Sequence, residues 1–154
     1  MIRSILVGLI LAALSACAAP SPEVTRATPD LTPLYPNETR ELRERINYWA
    51  DHYQVPRSLV QRVVIRESTH RPEARNGPYY GLMQILPATA RGMGYQGSAK
   101  GLLDPDTNLQ YAVKYLRGAW LVSNGTEPDA VKWYAKGYYY QAKKKGLLDE
   151  VGLD

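Results

Sequence analysis

Ile65-Arg66-Glu67-Ser68, a polar turn, and then Gly81-Leu82-Met83-Gln84-Ile85-Leu86-Pro87-Ala88-Thr89-Ala90-Arg91 form the stretch on which the reading of this chain turns. Upstream, Val60, Val63 and Val64 recur at helical spacing, and Glu67 lies four residues after Val63 and three after Val64. It continues the face that should be buried. A carboxylate there is costly unless it has a partner or a purpose. Ser68-Thr69-His70-Arg71-Pro72 is turn chemistry, so the spacing predicts a helix that ends near Glu67. A negative charge at a helix C-terminus opposes the macrodipole. Desolvation and dipole both favour the protonated acid at neutral pH, which is the state a general acid needs. The competing reading is a structural glutamate, exposed at a frayed end or paired with Arg66 or Arg71.

Glu67-Ser68 followed by Gly81-Leu82-Met83-Gln84 and Pro87-Ala88-Thr89-Ala90, at this distance, resembles the core of the soluble-type lytic transglycosylases. Those are bacterial peptidoglycan-cleaving enzymes with a lysozyme-like fold, related to goose-type lysozyme. Either motif alone is weak, and the pair is specific. The resemblance spans roughly residues 45 to 138. It implies Glu67 as the sole catalytic acid and base, and Ser68, Met83 and Gln84 as substrate-binding residues along a sugar cleft. It also implies that Tyr134, in Trp133-Tyr134-Ala135, stands for the tyrosine of a later Ala-Tyr-Asn segment and holds Glu67. Two departures are evident. Trp133 replaces a small residue, and Ala135 replaces an asparagine that adds a polar contact near the sugar. Where family members carry a Gly before the Gly-Leu-Met-Gln run, this chain has Pro78, with Gly77 one earlier.

Working outward, Pro56 suits the first turn of the helix that carries Leu59, Val60, Val63, Val64 and Glu67. Before it, Leu42, Ile46, Trp49, Ala50 and Tyr53 trace one face of an amphipathic helix, with Asn37 as its expected N-cap. Arg40, Arg43, Glu44 and Arg45 fall mostly on other faces and are expected to be solvated. Residues 68 to 80 read as a loop with room for a short hairpin. Leu82 and Ile85 should face the core from a short helix, leaving Met83 and Gln84 toward the cleft. Pro87 opens another helix, and Gly92, Gly94 and Gly97 loosen the chain after it.

Asp104-Pro105 caps a long helix whose buried face runs Leu109, Ala112, Val113, Leu116, Ala119 and Trp120. Glu127-Pro128-Asp129 begins what reads as the last helix, holding Val131, Trp133, Tyr134 and Tyr138; Gly137 should weaken it without ending it. The chain has 12 Tyr and no Phe. Tyrosines suit a saccharide cleft, although most serve as half-buried core residues.

At the N-terminus, Met1 to Ser4 is a short positive region and Ile5 to Ala13 an apolar run too short to span a bilayer. Leu14-Ser15-Ala16-Cys17 follows and looks like a bacterial lipoprotein signal. Residues 1–16 would be the signal peptide, and Cys17 the lipidated first residue. Cys17 is the one cysteine in 154 residues, so no internal disulfide can form. Ala18, rather than Asp, after Cys17 points to the periplasmic face of an outer membrane. Residues 17–36 read as a tether, because Pro20, Pro22, Pro29, Pro33 and Pro36 exclude a continuous helix. The 19 residues from Ala18 to Pro36 reach about 65 Å when extended. Leu34 and Tyr35 leave the alternative that the end of this tether packs onto the domain.

Residues 37–154 would then be one mainly α, lysozyme-like catalytic domain, with a short β-hairpin or loop after Glu67. The resemblance implies cleavage of the β-1,4 bond between N-acetylmuramic acid and N-acetylglucosamine, giving a 1,6-anhydro sugar. Alternatives are a hydrolytic muramidase, which usually needs a second carboxylate, and a non-catalytic peptidoglycan-binding lipoprotein. The expected partners are peptidoglycan glycan strands and, through Cys17, a membrane. His52 and His70 have no Cys or carboxylate spacing around them that suggests a metal, so no metal or organic cofactor is expected. The net charge of +4, or +3 once Arg3 leaves with the signal, is too small to imply nucleic acid.

Overall fold

The computed structural model describes residues 32–153. The expected signal peptide, the expected lipidation site at Cys17 and most of the expected tether lie outside the described residues. Residues 32–153 form a helical domain with seven α-helices and one two-stranded hairpin, the mainly helical lysozyme-like architecture expected. The helices are α1 (Arg40–His52), α2 (Arg57–Ser68), α3 (Pro87–Gly92), α4 (Pro105–Val122), α5 (Glu127–Lys136), α6 (Tyr139–Lys145) and α7 (Leu148–Val151). The hairpin pairs β1 (Arg75–Asn76) with β2 (Tyr79–Tyr80), in the register Arg75 with Tyr80 and Asn76 with Tyr79. A 3-10 helix, Ala99–Leu103, leads into α4 and was not foreseen from the sequence.

α4 is the axis on which the rest packs. Its apolar stripe, Leu109, Ala112, Val113, Leu116 and Ala119, is fully buried, whereas Trp120 is half-buried. It meets α1, α3, α5, α6, α7 and the 3-10 helix. Asp104 caps it by accepting from the Thr107 amide at 2.8 Å, and Pro105 occupies the first turn. Leu59, Val60, Val63 and Val64 of α2 and Ile46 and Ala50 of α1 complete the core, all without exposed surface. Each such branched side chain contributes about 1.5–3 kcal/mol of burial, so the α2 face is fixed firmly.

Four local expectations need correction. The N-cap of α1 is Thr39, whose hydroxyl accepts from the Leu42 amide at 3.1 Å; Asn37 instead turns with a positive φ and donates to the Thr69 carbonyl at 3.0 Å. Arg43 is buried rather than solvated, because Glu38 beneath it supplies a counter-charge. Residues 81–84 form turns rather than a helix: Tyr80 and Ile85 exchange two backbone hydrogen bonds and close the segment into a loop. Gly137 ends α5, since its φ of 80° and ψ of 146° leave helical space, and two further helices follow.

Candidate active site

α2 carries Glu67 in its last turn. The helix stops at Thr69, which takes left-handed φ and ψ of 50° and 50° and returns its amide to Val64 and Ile65. His70 follows with φ 59°. Two successive non-glycine residues in that region cost free energy and persist where neighbours over-determine them. Here the neighbours are the end of the tether. Tyr35 stacks on the His70 ring at 5.5 Å, and Asn37 holds the Thr69 carbonyl. His70 Nε2 lies 2.8 Å from Gln61 Oε1.

Beneath the turn, Glu38 is wholly buried and accepts four donors. Arg43 Nε at 2.6 Å and Gln61 Nε2 at 2.8 Å reach Oε1, while Arg43 Nη2 at 2.6 Å and the Tyr35 amide at 2.9 Å reach Oε2. Arg43 also reaches Thr32 Oγ1 at 2.5 Å and the Pro33 carbonyl at 3.2 Å. Residues 32–36, assigned from the sequence to the tether, are thus fastened to the domain, as Leu34 and Tyr35 had hinted. Burial raises the Glu38 carboxyl, but bonds from Arg43, Tyr35 and Gln61 outweigh it and hold the group below the ordinary value. Burial lowers His70 below its ordinary value, against the pull of Glu38, so the ring is held neutral.

Glu67 itself is one-quarter exposed, with Arg66 Nε 3.4 Å from Oε1. Burial raises its pKa above the ordinary carboxylate value, and Arg66 opposes this only in part. This is the environment predicted for a general acid. The phenol of Tyr134 is pushed well up, by burial first and then by the Glu67 charge. The Tyr134 hydroxyl, however, donates to the Met83 carbonyl at 2.8 Å and makes no hydrogen bond to Glu67. Its expected role of holding Glu67 is replaced by that of fixing the Met83 backbone.

The Gly81–Gln84 loop is clamped from two helices. Asn108 of α4, fully buried, donates to the Tyr80 and Leu102 carbonyls at 2.9 and 2.8 Å and accepts from the Met83 amide at 3.0 Å. Tyr134 of α5 takes the Met83 carbonyl. Gly81, at φ 73°, has no room for a side chain: a Cβ there would lie 2.3 Å from Asn108 Nδ2 and 2.4 Å from the Leu102 carbonyl. Met83 is completely buried, so its thioether packs in the core and does not point into a cleft. Ser68 is also buried and donates to the Val64 carbonyl at 3.2 Å, a back-bond within α2 rather than a substrate contact. Gln84 sits at φ 49° and donates to the Gly81 and Ala74 carbonyls at 2.8 and 3.0 Å. Its Oε1 is buried with no partner among the described residues.

Gln84 and Tyr134 line a cavity of about 240 Å³ together with Tyr79, Thr89, Tyr115 and Lys136. Its lining holds aromatic rings, an amide side chain and a cation, but no carboxylate among the described residues. Glu67 does not line this cavity, although its charge reaches the Tyr134 phenol. Other acidic groups are engaged elsewhere. Asp104 caps α4, Glu127 takes Arg62 at 3.1 Å, Asp129 accepts from Thr126 at 3.0 Å, and Asp106 takes Trp49 Nε1 at 2.8 Å and Arg45 at 3.1 Å. Glu73 lines a different pocket. No cluster of His, Cys, Asp and Glu able to hold a metal is found among the described residues.

Residues 44–149 match the family described as Transglycosylase SLT domain. The chain belongs to that family. No solved structure gives a significant match to the chain. Membership makes peptidoglycan the substrate class of this transglycosylase domain. The residues that sequence reading missed are those acting through packing: Glu38, Arg43 and Gln61 below the turn, and Tyr79, Tyr115 and Lys136 around the cavity. Asn108 was legible as a polar position in an otherwise apolar stripe. The Glu38 network offered no such signal, because its members are far apart in sequence and ordinary in pattern.

Proposed function

We propose that this SLT-domain protein is a lytic transglycosylase that cleaves the β-1,4 bond between N-acetylmuramic acid and N-acetylglucosamine, with Glu67 as general acid and then base. The observation that carries the reading is a desolvated carboxylate in the last turn of α2 whose charge reaches Tyr134, a residue of a tyrosine-lined cavity that has no carboxylate in its own lining. Glu67 protonates the leaving glycosidic oxygen. Ionised Glu67 then takes the proton of the muramyl C6 hydroxyl as that oxygen attacks C1, closing a 1,6-anhydro ring without water. Gln84 and Lys136 line the cavity and offer polar contacts to sugar hydroxyls. Tyr79 and Tyr115 offer ring faces to pyranose rings.

An intramolecular nucleophile reaches an effective concentration of up to about 10⁵–10⁸ M when well oriented, against about 55 M for water. Water competes only where a second carboxylate activates it. Digestion of purified peptidoglycan in heavy-oxygen water should therefore give label-free muropeptides ending in anhydromuramic acid. Labelled reducing ends as the main product would replace this reading with a hydrolytic muramidase. Absence of any cleavage would favour a binding lipoprotein. Lipid attachment at Cys17, at the periplasmic face of an outer membrane, rests on Leu14-Ser15-Ala16-Cys17. Cys17→Ala should release the protein from membranes or block its processing; unchanged fractionation and maturation would remove the anchor.

A further inference from the structure

The two strands of the hairpin β1–β2 line different pockets. Neighbouring residues on a strand point to opposite faces. Tyr79 lines the small cavity beside Tyr134, while Arg75, paired across the ladder with Tyr80, lines a second pocket of about 670 Å³. Arg71 and Glu73 flank that pocket, Asn37 borders it, and Leu103 and Pro105 add apolar surface.

The charged groups here differ from the other cations around them. Arg43, Arg45, Arg57, Arg62 and Arg66 each have a carboxylate partner. Arg71 and Arg75 have none among the described residues, yet both are held in place. Arg71 donates through Nε to the Ser68 carbonyl at 2.9 Å, which leaves its two terminal nitrogens unused. Arg75 lies over the Tyr80 ring at 4.5 Å and donates from Nη2 to the Tyr80 hydroxyl at 3.0 Å, which leaves Nε and Nη1 unused. A guanidinium fixed by neutral contacts, with donor positions left over, is set up to bind a carboxylate. Glu73 carries no ion pair among the described residues either, so the pocket alternates cation, anion and cation along Arg71, Glu73 and Arg75.

We propose that this pocket binds the peptide stem of the strand whose sugars occupy the cavity beside Tyr134, with Arg71 and Arg75 taking stem carboxylates and Glu73 its free amine. This deepens the transglycosylase reading and rests on it for the placement of the sugar. A stem with acidic residues and a diamino acid carries the complementary charges. Three or four residues extend about 10–14 Å. That suffices to pass one hairpin, about 10 Å thick with its side chains. Arg71 also ties the pocket to Ser68, the neighbour of Glu67, so an occupied pocket adjoins the turn that ends α2.

The test uses the full chain in two arms. In the first, a free stem tetrapeptide is titrated into Glu67→Gln protein and followed by chemical-shift changes, which needs no catalysis. Shifts should centre on Arg71, Glu73 and Arg75. The Arg71→Gln/Arg75→Gln double variant, its fold checked by circular dichroism, should weaken binding by about tenfold to a hundredfold. Acetylating the stem amine should abolish the effect of Glu73→Gln. In the second arm, intact peptidoglycan is compared with glycan strands stripped of their stems by an amidase. The double variant should raise KM on the intact substrate and leave the stripped one unchanged. Equal tetrapeptide affinity for parent and double variant, or arginine dependence only on vesicles rich in phosphatidylglycerol, overturns the stem site. A labelled, hydrolytic product overturns the lytic chemistry alone, because the first arm does not depend on it.

Discussion

Glu38→Gln keeps the size of the side chain and removes its charge. The two oxygens of Glu38 accept four donors, and the site is completely closed to water. An amide in the same place offers one acceptor atom and turns an NH₂ group toward donors. Arg43 then loses the counter-charge that Glu38 supplies. Breaking such a pair from one side costs about 3–5 kcal/mol. A domain of this size shifts its midpoint by roughly 4 °C per kcal/mol, so the melting temperature should fall by about 12–20 °C. Circular dichroism melts at pH 7 measure it directly. The Glu38→Gln/Arg43→Met double variant tests the cause, since removing both charges should recover most of the loss. The wild type should also lose stability in acid. The folded Glu38 pKa lies below the ordinary 4.5, so the unfolded chain binds the proton first and this contribution disappears as pH falls below that value. His70, lowered from 6.5, acts in the same direction at higher pH, beginning below about 6.5. A single-variant loss under 1 kcal/mol, or no recovery in the double variant, would refute the assignment of the tether end to the folded domain through this network.

Glu67→Gln should lower turnover by at least about 10²–10⁴-fold. It should also raise the melting temperature at pH 7, because a raised carboxyl pKa makes the native state the stronger proton binder and costs stability once the group ionises. Near-normal activity on peptidoglycan would end its assignment as the acid. Tyr134→Phe leaves the Met83 carbonyl unsatisfied inside the core and should cost about 1–3 kcal/mol, together with activity; an unchanged melt with lost activity would instead point to a direct role toward Glu67. Gly81→Ala should give little folded protein, since its Cβ meets Asn108 and the Leu102 carbonyl and its φ is positive. A well-folded variant with a normal chemical-shift spectrum at Asn108 would contradict that packing.

What the sequence disclosed well was periodic or capped. The apolar faces of α1, α2 and α4 announce themselves because one side of a helix must be buried, and Asp104-Pro105 marks a start because both residues suit that terminus. Glu67 was legible because it breaks the chemistry of such a face. Met83 was misread for the same reason that Leu82 was read correctly. In a short loop there is no period to say which apolar residue points inward, and Asn108 and Tyr134 bind the Met83 backbone so that both Leu82 and Met83 are buried. The thioether is therefore packing material, while the adjacent amide side chain lines the cavity.

The boundary of the domain shows the deeper limit. Five prolines made the stretch before residue 37 look like tether, and for a chain segment considered alone that inference is sound. It fails at residues 32–36 because their stability comes from a carboxylate two residues farther on, an arginine on α1 and a glutamine and histidine from α2 and the turn beyond it. None of those groups is unusual where it stands in sequence. Only the fold brings them together, and it does so against the two left-handed residues that follow the Glu67 helix. Residues 32–36 therefore belong to the domain, and the segment entering it is packed against the turn that ends the proposed catalytic helix.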